Sequence, residues 1–120
     1  MNLETNQLTE QISGAAIEVH KELGPGLLES AYQKALAYEL GPRRLPFEER
    51  YKDLMIEDAY RLDFLVGKSV VVELKAVDTL LDVHEAQVLT YLRFTACRIG
   101  LLFNFRTTLL TKHGLRRLAL

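Results

Sequence analysis

The sequence predicts an α/β fold, an α+β sandwich in which helices flank a mixed β-sheet, and three observations carry that expectation. Apolar residues recur at helical spacing through the first 40 positions. Extended segments follow from Phe47 and end in the β-branched run SVVVELKAV, residues 69–77, and an amphipathic stretch then leads into the apolar run RIGLLFNF, residues 98–105. A chain of 120 residues corresponds to one domain, spanning residues 1–120, with room for a single catalytic or binding centre.

Taken in order, Leu8, Ile12, Ala15, Ala16, Val19 and Leu23 fall on one side of a first helix, which Gly24-Pro25-Gly26 ends. Leu28, Tyr32, Ala35, Leu36 and Leu40 mark a second helix over about residues 27–40, stopped by Gly41 and Pro42. FEERYK (47–52), LMIEDAYRLDFLV (54–66) and SVVVELKAV (69–77) then read as an antiparallel meander, with Gly67 turning the last pair. Asp82 and Glu85 resemble a capping pair for a third helix, whose apolar side is Ala86, Val88, Leu89, Leu92 and Ala96. RIGLLFNF follows as a buried strand, and HGLRRLAL (113–120) as a short extended segment. The expected order is ααβββαβ(β).

Bulk composition narrows the class. With 48% hydrophobic and 26% charged residues the chain falls in the globular rather than the disordered range. Cys97 is the single cysteine, so no internal disulfide or thiolate zinc cluster can form, which fits a cytoplasmic location. The opening MNLETNQLTEQ lacks a signal pattern, and no apolar run approaches the roughly 20 residues of a membrane span. Neither secretion nor membrane insertion is expected. Walker-type glycine loops, dinucleotide fingerprints and nucleophile elbows are also missing.

Charge is unevenly distributed behind a net value of −1. Arg93, Arg98, Arg106, Lys112, Arg116 and Arg117 all follow Glu85, the last of 16 acidic residues. Such a division suits a polyanion held beside a carboxylate site, with nucleic acid as the expected partner.

The sharper signal is the charge inside the strand pair YRLDFLVGKSVVVELKAV, residues 60–77. Alternation puts Asp63 on one face with Arg61 and Leu65, and Glu73 and Lys75 on one face with Val71 and Val77. A two-residue loop at Gly67-Lys68 would set Asp63 opposite Val72, facing away from Glu73. A three-residue loop from Gly67 to Ser69 sets Asp63 opposite Glu73, and that odd parity is the expectation. Two opposed carboxylates repel and need a cation between them. The residues alone leave two readings open: a divalent metal held by oxygen ligands, or an Asp, Glu and Lys ion-pair network that fixes strand register.

These residues also carry a family resemblance. An acid on one strand and Glu-x-Lys on the next, here Asp63 and ELK at residues 73–75, resemble the PD-(D/E)XK nuclease superfamily, which implies a restriction-endonuclease-like core. More narrowly, GLLESAY at residues 26–32 resembles the signature of the GxxExxY family, and the likeness continues through YRLDFLV, VVELKAV, HEAQVLTYLR, GLLFNF and HGLRRL. Leu62, rather than the proline common in the superfamily, precedes Asp63.

The resemblance implies a metal-dependent nuclease hydrolysing phosphodiester bonds, with DNA ahead of RNA, and Mg²⁺ (or Mn²⁺) held by Asp63, Glu73 and the backbone carbonyl of Leu74. Lys75 is implied as the catalytic cation, Glu29 as a helix glutamate over the metal, and Gln87 and Tyr91 as the Gln-x-x-x-Tyr pair of the exonuclease branch. His84, Gln87 and Tyr91 form one polar stripe on the third helix, His20 has at most a supporting role, and the arginines are the available phosphate clamps. Tyr32 shares a helix face with Glu29 and reads equally as a core aromatic with a wet hydroxyl. The alternative function is a catalytically inactive nucleic-acid- or protein-binding module that retains the nuclease fold. In either case a homodimer or a partner protein is expected to assist substrate selection.

Overall fold

The computed structural model describes residues 4–49 and 62–120. Its elements are α1 (Thr5–Leu23), α2 (Glu29–Leu40), β1 (Phe47–Glu49), β2 (Phe64–Val66), β3 (Val70–Lys75), α3 (Asp82–Thr95), β4 (Ile99–Asn104) and β5 (Leu115–Ala119). One turn of π-helix, Leu110–Gly114, precedes β5. The strands form one sheet in chain order, β1-β2-β3-β4-β5. All neighbours are antiparallel except β3 and β4, so the sheet is mixed, as expected. The parts of the two predicted strand segments that lie within residues 50–61, Arg61 among them, are outside the described residues.

Alternation along the strands sorts the core into two layers. Phe64, Val66, Val70, Val72, Leu74, Leu101 and Phe103 pack against α1 and α2, whereas Leu65, Val71 and Leu102 pack against Val88, Tyr91 and Leu92 of α3. The sheet is therefore covered on both faces, which explains why β3 is buried at every position from Val70 to Leu74. Burial at every position erases the amphipathic signature that an open sheet would show. Among the described residues, no helix is long and apolar enough to cross a membrane.

The β2–β3 connection settles the parity question. Val66 pairs with Val70 and Phe64 with Val72, so the loop is the three residues Gly67 to Ser69 and the same register carries Asp63 to Glu73. Gly67 and Lys68 both adopt positive φ, at 59° and 57°, and the Ser69 N–H donates to the Val66 carbonyl at 3.1 Å. Such a turn favours a residue without Cβ at its first corner, which Gly67 supplies.

Helix α3 crosses between the parallel strands β3 and β4 and lies close over the sheet at Gly100. A Cβ at Gly100 would stand 2.6 Å from Val88 Cγ1. Gly100→Ala is expected to destabilise the protein by about 1–3 kcal/mol through overpacking, read as a lower urea midpoint. Adding Val88→Ala should recover part of that loss; a double variant no more stable than Gly100→Ala would show that the contact is not the cause.

Several local expectations need correction. Leu23 and Leu28, expected on the apolar sides of the first two helices, are exposed at 38% and 77%, because each stands at a helix end beside the turn at residues 24–26. The third helix begins after Leu81, whose N–H is accepted by His84 Nδ1 at 2.9 Å, so the cap is closed by His84 rather than by an Asp82–Glu85 pair. An imidazole nitrogen can satisfy an orphan amide as a carboxylate does. Ala86 and Ala96 also leave the apolar side: both are exposed, and Ala96 ends the helix in a left-handed conformation.

Candidate active site

The site forms where β2 begins and β3 ends. Glu73 lies on the α3 side of β3 and is buried to 2% exposure, and Asp63 is half-buried just ahead of β2. Their side chains latch the strands reciprocally: the Asp63 N–H donates to Glu73 Oε1 at 2.8 Å, and the Leu74 N–H donates to Asp63 Oδ2 at 2.9 Å. Each carboxylate thus replaces a ladder carbonyl at the point where β2 stops pairing. In an extended strand the N–H and C=O of one residue point to the same side, so the Leu74 carbonyl is also directed toward the Asp63 edge.

Burial pushes the Glu73 carboxyl well above its ordinary value, the Asp63 charge pushes it further, and Glu29 adds a smaller push. The hydrogen bond from the Asp63 backbone and the charge of Lys75 act in the opposite direction without cancelling the rise. A cation beside Glu73 favours its charged form, as Lys75 does, and a bound divalent ion would act in the same direction.

The donor set is two carboxylates and a backbone carbonyl, all hard oxygens, which fits Mg²⁺ or Mn²⁺. Among the described residues no group of three or more His, Cys, Asp or Glu is placed to hold a metal. That is compatible with Mg²⁺, which commonly takes one or two carboxylates and keeps several waters.

The other predicted residues approach from three directions. Lys75, half-buried, ends β3 on the same face as Glu73. Glu29, also half-buried, stands in the first turn of α2 and acts on Glu73 through its charge. On α3, Gln87 Nε2 donates to the Tyr91 hydroxyl at 3.1 Å, so this amide and phenol act as a unit. Tyr91 is 1% exposed within the α3 core layer, which corrects the expectation of one polar stripe opposite the apolar side. His84 leaves the stripe as well, being engaged in the cap.

Tyr32 proves to be a fastener. Its ring stacks on Phe105 with centroids 4.5 Å apart and planes 10° from parallel. Its hydroxyl accepts the Leu27 N–H at 3.0 Å and donates to the Gly24 carbonyl, closing the turn that delivers Glu29. The hydroxyl thus both donates to and accepts from backbone groups. His20 ties α1 to the segment after β4 through Nε2, which donates to the Thr107 carbonyl at 2.7 Å. That bond fixes its tautomer and leaves it a structural role.

Among the described residues, three of the arginines after Glu85 have separate polar partners. Arg106 pairs with Asp78 at 3.3 Å, Arg116 approaches Glu85 at 3.8 Å, and Arg117 donates to Asn6 at 2.7 Å. Arg93 is in the last turn of α3, and Arg98 precedes β4 at the end of the sheet away from Lys75. Sequence reasoning passed over Asn104, a buried amide beside Lys75. Its signal was present as a polar residue ending an apolar run, since buried amides are retained where their hydrogen bonds are needed.

A comparison with known families matches residues 6–118 to the PD-(D/E)XK nuclease superfamily. No curated protein and no solved structure matches the chain.

Proposed function

Since this chain belongs to the PD-(D/E)XK nuclease superfamily, we propose that it is a divalent-metal-dependent nuclease that hydrolyses phosphodiester bonds, with DNA ahead of RNA as substrate, and that it falls in the GxxExxY branch. The observation that supports this reading best is the reciprocal latch of Asp63 and Glu73, with Lys75 on the same face. Asp63, Glu73 and the Leu74 carbonyl are the residues that would hold Mg²⁺ or Mn²⁺. When bound, such an ion supplies Lewis-acid polarisation of a phosphoryl oxygen and a more acidic water.

The protein's own groups do the rest. Lys75 presents a compact cation where charge builds on the phosphoryl oxygens, and it can donate hydrogen bonds to the attacking water or to those oxygens. Glu29 accepts a hydrogen bond from a water on the α2 side. Gln87 and Tyr91, held to each other, position the phosphate from α3. The scattered arginines contribute salt-dependent affinity rather than a clamp. A second copy or a partner protein assists substrate choice, and the reaction takes place in the cytoplasm.

The test is cleavage of labelled single- and double-stranded DNA and RNA by the purified chain with Mg²⁺, Mn²⁺ or chelator. Cleavage that requires metal is expected, together with calorimetric Mn²⁺ binding that Asp63→Asn weakens. Retained nucleic-acid binding with neither cleavage nor metal binding would instead establish the inactive binding module.

A further inference from the structure

We infer that Asn104 is a positioning residue that sets where β3 delivers Lys75, an inference that rests on the nuclease reading above. Asn104 is the β4 partner of Lys75 in the parallel register, and it projects to the α3 face as do Lys75 and Glu73. It is 1% exposed, one of few buried polar side chains among the described residues.

Its amide grips one residue at two points. Asn104 Oδ1 accepts the Val77 N–H at 3.0 Å, and Asn104 Nδ2 donates to the Val77 carbonyl at 2.8 Å. Oδ1 also accepts the Arg106 N–H at 3.3 Å. Between these anchors, the Phe105 N–H donates to the Lys75 carbonyl at 2.9 Å. β3 ceases as a strand at Lys75, yet the chain is held to β4 for two more residues by a side chain that imitates a strand backbone.

The consequence falls on the direction of Lys75. A lysine on the last residue of a strand would swing with the exit of the following loop. The β3–β4 ladder holds the chain before Lys75, and the bond to the Lys75 carbonyl together with the Asn104 grip on Val77 holds it after, so the backbone carrying the ammonium is bounded on both sides. The Asp63–Glu73 latch shares none of these bonds. Asn104 therefore acts on the placement of the cation and leaves the proposed metal ligands in place.

The test compares wild type, Asn104→Ala and Asn104→Asp for cleavage kinetics and Mn²⁺ binding. Asn104→Asp keeps shape and acceptor but sets an oxygen against the Val77 carbonyl. Both variants should bind Mn²⁺ within about threefold of wild type and keep KM within a similar factor. Their kcat should fall by about 10- to 100-fold, the scale on which a small misplacement near reacting atoms acts. An active wild type with unchanged kcat in both variants overturns the role of Asn104 alone. So does a matched loss of fold, metal binding and activity in both, which would make the residue structural only. A wild type that neither cleaves nor binds metal overturns the nuclease reading and this role with it.

Discussion

Lys75→Ala is expected to lower kcat for metal-stimulated cleavage by about 10²–10³-fold, the loss typical of removing one group that stabilises charge in a transition state. The substitution should leave the fold intact, because Lys75 ends β3 half-exposed and none of the backbone bonds that hold β3 to β4 depends on its side chain. Its ammonium also lowers the proton affinity of Glu73. The metal-free variant should consequently take up a proton at Glu73 more readily than wild type, so that Mn²⁺ binding below neutral pH weakens as well. Single-turnover cleavage measured beside circular dichroism separates the two effects. Activity within threefold of wild type would remove Lys75 from the chemistry.

Glu73→Gln is expected to abolish cleavage while making the metal-free protein more stable. The amide keeps an oxygen for the Asp63 N–H and removes the buried charge. Because Glu73 is raised above its ordinary value of 4.5 by burial and by Asp63, the folded state holds this proton more tightly than the unfolded chain does. The stability it contributes is fully present below 4.5 and is lost as pH rises through the folded-state value. Wild type and Glu73→Gln should therefore differ little near pH 4. By pH 8 the variant should lead by on the order of 1 kcal/mol or more, several degrees in Tm for a domain of this size. Saturating Mn²⁺ should narrow the gap by stabilising wild type alone. Melting curves that stay parallel across this pH range would contradict the burial of an under-compensated carboxylate. The trade is the usual one at a functional site, where activity requires a group that the fold would be more stable without.

Much of this arrangement was legible in the residues because local rules act alone there. Helical spacing located α1 and α2, and Gly67 with strand alternation gave a parity argument that the observed register satisfies. Other features depend on contacts that spacing does not encode. His84 and Glu85 both stand near the start of α3, and only the helix's entry angle decides that the imidazole closes the cap. Tyr91 reads as a polar residue in the chain, but its position over the sheet buries the ring while its hydroxyl accepts from Gln87. Asn104 is a longer-range case: its partner is 27 positions earlier, and only the parallel pairing of β3 with β4 brings them together.

The turn at Gly67–Ser69 behaves as a counter as well as a connector. Losing or gaining a single amino acid there would rotate the first acid into the layer filled by α1 and α2, among aliphatic neighbours, while the second stayed under α3. Descendants of this gene can consequently vary the side chains that follow Gly67 but hardly the length of that corner, and any tolerated indels should come in pairs.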